Sequence, residues 1–118
     1  MAKTFTFANS QDFVNQFNNI KGNEELEAIA LLSGMRQLGY NESGLKILEI
    51  EKLPSDEIAK TTYYFRFTTD NNDEDASCEI MKLYNNKWFS ENPSYDILIS
   101  KVENLEGFDK EKFEEPEF

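Results

Sequence analysis

Thr61-Thr62-Tyr63-Tyr64-Phe65-Arg66-Phe67-Thr68 is the stretch from which the rest of the chain is read. β-Branched and aromatic residues crowd it, a composition that fits a pleated, half-buried surface. Its alternation puts Tyr63, Phe65 and Phe67 on one face and Thr62, Tyr64 and Arg66 on the other. The first set is a core face, whereas Tyr64 and Arg66 either meet solvent or belong to a binding surface.

Downstream, residues 77–84 read as a further strand, and Asn85-Asn86 tolerate the left-handed backbone that a tight hairpin requires. Lys87-Trp88-Phe89 then returns as the next strand. Upstream, Leu45-Lys46-Ile47-Leu48-Glu49-Ile50 is a strand whose apolar positions change parity between Ile47 and Leu48, the mark of a bulge or of burial on both faces. Pro54-Ser55-Asp56 ends it.

Helical spacing governs the remainder. Ser10 can cap a short helix bearing Phe13, Phe17 and Ile20, closed by Lys21-Gly22. Asn23 followed by Glu24 and Glu25 starts a second helix, since a side-chain acceptor and two anions meet unpaired N–H groups at its positive end. Ala28, Leu31, Leu32, Met35 and Leu38 form its apolar stripe, and Gly39 its stop. Asn92-Pro93-Ser94 marks a third start before Leu98, Val102 and Leu105, with a strand as the alternative for residues 95–99. Residues 4–7 alternate polar and aromatic side chains, as in a short strand or an extended arm.

The expected fold is α+β: two N-terminal helices packed on a bent antiparallel sheet of about four strands, then a C-terminal helix. Residues 1–107 form a single domain in this reading. Residues 108–118, where Phe108, Phe113 and Phe118 stand among acids, form a loosely ordered acidic tail. A length of 118 residues suits one hydrophobic core, and 10 Phe, 5 Tyr and 1 Trp supply large buried areas to build it.

Charge and missing residue types bound the function. Asp and Glu total 23 against 12 Lys and Arg, a net charge of -11, and there is no histidine. The acidity leans C-terminal, with 9 acids and 5 bases in residues 1–59 against 14 and 7 in residues 60–118. Lacking histidine, the chain has neither the commonest general base nor the commonest metal ligand, so a Ser-His or Cys-His nucleophile is impossible within it. Cys78 is the single cysteine, which excludes an intramolecular disulfide and a four-cysteine zinc site. Its apolar strand context makes it a small buried filler rather than a reactive thiol. Gly34, Gly39 and Gly44 are too spread to form a phosphate loop. We therefore expect no enzyme and no cofactor. With no apolar run near the roughly 20 residues of a membrane span, the expected setting is the cytoplasm, with no membrane partner.

The densest acidic spot is Asp70-Asn71-Asn72-Asp73-Glu74-Asp75, a loop between two strands, with Glu79 close behind it. As a calcium loop it fails, because the EF-hand register needs glycine where Asp75 sits and a bidentate Glu where Met81 sits. Asp70, Asp73, Glu74, Asp75 and Glu79 are instead the candidate partner-binding residues. One reading is a surface that imitates phosphates and engages a basic groove; the other is a solvated face that keeps the protein soluble. Direct nucleic-acid binding is disfavoured because phosphates would be repelled.

Two resemblances extend these readings. Helices followed by an antiparallel meander closing in Leu83-Tyr84-Asn85-Asn86-Lys87-Trp88-Phe89 resemble NTF2-like and cystatin-like domains over residues 12–89. That likeness implies a cone-shaped fold with an apolar pocket, and no catalytic residues carry over because no histidine is present. In size, acidity and scarcity of cysteine the chain also resembles small phage-encoded inhibitors of the anti-CRISPR and antirestriction type, and toxin-immunity proteins. This second likeness implies stoichiometric inhibition of a basic protein such as a nuclease, a CRISPR effector or a toxin. Oligomeric state is left open by the sequence.

Overall fold

The predicted strand at residues 61–68 sits at the centre of the sheet. The computed structural model describes residues 4–113, apart from the side chains of Asn72 and Asp73. Its elements run α1 (Ser10–Asn19), α2 (Glu24–Gly34), a π-helical turn (Met35–Gly39), β1 (Lys46–Leu53), β2 (Ala59–Thr69), β3 (Asn72–Leu83), β4 (Trp88–Phe89) and α3 (Pro93–Val102), with a short 3-10 turn at Lys110–Lys112. The four strands form one antiparallel sheet in sequence order, β1-β2-β3-β4, so the α+β arrangement is as expected.

All three helices serve the Tyr63, Phe65, Phe67 face. Phe13, Leu31, Leu32, Met35, Tyr95, Leu98 and Val102 join those residues, Ile80 and Trp88 in one buried cluster. The stripe foreseen on α2 widens to its whole circumference, because Ile29 and Ala30 are buried along with Ala28, Leu31 and Leu32. A helix apolar all round has to be enclosed, and α2 lies between the sheet and the other helices. The helical run continues past α2 as a π turn, Tyr40 N donating to Met35 O at 3.2 Å, and ends at Gly39. A Cβ at Gly39 would stand 2.8 Å from the Ser94 carbonyl oxygen, so only glycine lets the start of α3 approach this closely.

Several boundaries are corrected. Asn9, not Ser10, caps α1, its side chain accepting from Asp12 N at 2.8 Å. Asn23 caps α2 as expected, and Asn92 caps α3 with Pro93 in its first turn. Residues 95–99 are helical, as the stripe of Leu98 and Val102 led us to expect, so the strand alternative falls away. The arm at residues 4–7 is extended but outside the sheet, held by Gln37, which accepts from Phe7 N at 2.9 Å and donates to Phe5 O at 2.6 Å. Asn86 turns the β3–β4 hairpin at φ 66°. Composition also led us to expect a loose segment from residue 108, yet Phe113 is buried, stacks on Phe108 at 5.0 Å and bridges to Trp88. Phe118 lies outside the described residues.

The acidic stretch differs most. Expected as a loop, it is largely strand: Thr69 pairs with Asn72, leaving Asp70-Asn71 as a tight turn, and β3 begins at Asn72 rather than at residue 77. The register shifts between Phe67 and Thr69, so residues 73–75 stand opposite Thr68 as an irregularity, and regular alternation resumes at Ala76.

Candidate partner-binding face

The sheet face turned away from the helices is assembled row by row by the strand register. Leu53, Thr62 and Met81 lie abreast at one end; Phe89 pairs with Met81 at the edge but packs its ring against the core, 5.8 Å from Tyr95 of α3. The next row is Glu51, Tyr64 and Glu79. Beyond it stand Glu49, Arg66 and Ser77, and then Lys46 beside Thr68.

A bulge in β1 creates this pattern. Ile47 pairs with Phe67 and Glu49 with Arg66, so Leu48 is the extra residue and strand parity reverses around it. Without that insertion Glu49 and Glu51 would point into the core, where an unpaired carboxylate costs several kcal/mol, on the order of its desolvation. With it, Ile47 and Ile50 both face inward and both glutamates face out.

Arg66 spans three strands, with Nη1 2.5 Å from Asp75 Oδ2 and Nη2 3.4 Å from Glu49 Oε2. The Asp75 hydrogen bond holds the guanidinium pKa above its ordinary value. An exposed bridge of this kind orders side chains more than it stabilises the fold. By register and ion pairing the face thus presents Glu49, Glu51, Asp75 and Glu79 against Lys46 and Arg66. Tyr64, half-exposed, is flanked by Glu51 and Glu79, with neighbouring side chains about 5 Å apart across such a ladder.

The four predicted residues whose side chains are described, Asp70, Glu74, Asp75 and Glu79, are not one cluster. Asp70 belongs to the hairpin turn, where its N–H donates to Ser43 O at 2.9 Å and its carboxylate accepts from Ser43 Oγ at 3.3 Å. It folds over Gly44, where φ is +68° and a Cβ would collide with the carboxylate. Asp75 and Glu79 share the outer face, Asp75 already engaged by Arg66. Glu74 is exposed, and the Asp73 side chain lies outside the described residues. Sequence reading missed Glu49, Glu51 and Glu91. The parity change at Leu48 was the signal for the first two, but only the register assigns them a face.

A groove of about 350 Å³ adjoins this face at the free side of β3, lined by Tyr64, Ser77, Cys78, Glu79, Met81, Glu91 and Asn92. No cation lines it. Cys78 is buried, and burial pushes its thiol pKa up despite a contact with Ser90 Oγ, which disfavours the thiolate. Among the described residues no group of three or more metal-ligating side chains comes together. Nor is any described helix long and apolar enough to cross a membrane. Comparisons with protein-family models, curated proteins and solved structures find no match, so function is read from this face itself.

Proposed function

We propose that this chain is a non-enzymatic binding protein that inhibits a basic, nucleic-acid-handling protein by occluding its groove. The observation that carries the reading is the helix-free sheet face, where Glu51, Tyr64 and Glu79 stand in one row between an apolar end and the Glu49–Arg66–Asp75 bridge. Carboxylates steer and orient a cationic partner, the tyrosine ring can take a Lys or Arg head group, and Leu53 with Met81 adds apolar area. A net charge of -11 supports fast association with such a partner. The compositional likeness to small acidic inhibitors points the same way.

A small-ligand pocket between helix and sheet finds less support. Trp88, which such a pocket would expose, is fully buried, and its Nε1 donates to Glu27 at 3.1 Å.

The test is displacement of DNA from a basic nuclease, measured in rising salt with the native chain and with Glu51→Gln/Glu79→Gln. Inhibition that weakens with salt and falls at least tenfold in the variant is expected. Inhibition insensitive to both would sink the reading.

A further inference from the structure

We infer that the partner supplies an extended basic segment that adds as a fifth strand along β3, a proposal that rests on the docking reading above and gives it a geometry. β4 is only two residues long and pairs with Met81 and Lys82 alone, so the ladder stops while β3 continues back to Asn72. Backbone groups of odd-numbered β3 residues point toward this side: Leu83 N donates to Lys87 O at 2.8 Å, and Glu79 O accepts from Ser90 Oγ at 2.7 Å. Ser77, two residues before Glu79 in regular register with Arg66, therefore aims both its N–H and its C=O outward, and Glu79 aims its N–H outward. β4 pairs with Met81 and Lys82 alone, so its ladder does not reach these three groups. An edge of this kind is a template for strand addition, and the neighbouring groove offers a pocket for an alternate side chain of the incoming strand.

Charge identifies the occupant. A second copy added along the same edge would bring two chains of net charge -11 together with Glu79 of each beside the joint, which like-charge repulsion opposes. A strand carrying Lys or Arg at every second position instead brings cations to Glu79 and Glu91, neither of which has an ion pair among the described residues. Its cationic head group enters the groove beside the Tyr64 ring.

The probe is an acetylated, amidated hexapeptide alternating Lys with Val or Thr, titrated into the full chain while amide hydrogen exchange is followed residue by residue. At saturation the Ser77 and Glu79 N–H groups are expected to exchange at least tenfold more slowly, with little change in β1. Ser77→Pro removes an edge-facing N–H without touching the β2 ladder and should abolish this protection and weaken binding at least tenfold, while Ser77→Ala retains both. Glu79→Gln/Glu91→Gln should weaken binding and flatten its salt dependence. Binding without protection of Ser77 and Glu79, or equal binding by a folded Ser77→Pro, overturns strand addition. Protection already present in the peptide-free protein at dimer mass assigns the edge to a second copy and overturns it too. If nuclease inhibition still depends on Glu51 and Glu79 when the edge stays unprotected, the docking reading survives and only its geometry is wrong.

Discussion

Glu27 is the carboxylate on which the core depends most. It is only 5% exposed, accepting from Trp88 Nε1 and from Gly22 N, each at 3.1 Å, so one acid ties α2, the turn before it and β4 together. Trp88→Phe removes one donor and some volume but leaves the carboxylate buried; unfolding in urea should show a loss of about 2–4 kcal/mol. Nearby, Tyr63 donates to Glu24 Oε1 at 2.7 Å, and burial first, then that carboxylate, pushes its phenol well above the ordinary value of 10.0. The unfolded chain then loses this proton before the folded one does. Stability is therefore complete below pH 10 and declines as pH rises past it, and Tyr63→Phe should show a flatter alkaline limb in a thermal-melt series. None of these partners could be read from the sequence. Trp88 and Glu27 are 61 positions apart, and an acid in the first turn of a helix ordinarily stays in solvent.

Elements were legible where one period dominates. The alternation in β2, the stripe on α2 and the Asn-Pro-Ser start of α3 each carry their own signal, and each element formed. Failures fell where tertiary pairing competes with composition. The acidic run from Asp70 reads as a loop because Asp and Asn disfavour strands, yet β3 begins at Asn72, which pairs with Thr69 across an irregular register. Likewise Phe113 looked like part of a loose tail until its contact with Trp88 fixed it. The bulge at Leu48 was half legible: its parity change was visible, its consequence for Glu49 and Glu51 was not. Leu48 is 38% exposed, so Leu48→Ser should change stability by no more than about 0.5 kcal/mol, whereas deleting Leu48 turns two glutamates inward and should abolish cooperative unfolding. At the other end of the helical layer, Gly39→Ala should cost about 1–3 kcal/mol in urea unfolding, because the Ser94 carbonyl in its way is backbone and cannot swing aside.

The whole molecule is a sheet with helices on one side and a charged face on the other, carrying a net charge of -11. Self-repulsion of that size opposes compactness, so the melting temperature should rise when salt is raised from low to moderate concentration, the opposite of what a fold held by surface ion pairs would show. Of the candidate site, sequence located the acidic region and the solvent side of β2, but the register was needed to separate Asp70, which pins the hairpin turn, from Asp75 and Glu79. Bulk acidity and a docking face make different predictions for where charge matters. The deciding measurement is calorimetric titration of a basic nuclease with two variants of equal net charge: Glu51→Lys/Glu79→Lys on the open face and Glu25→Lys/Glu106→Lys at exposed positions off the sheet. Loss of binding in the first with retention in the second is the predicted result; equal weakening in both would contradict the account.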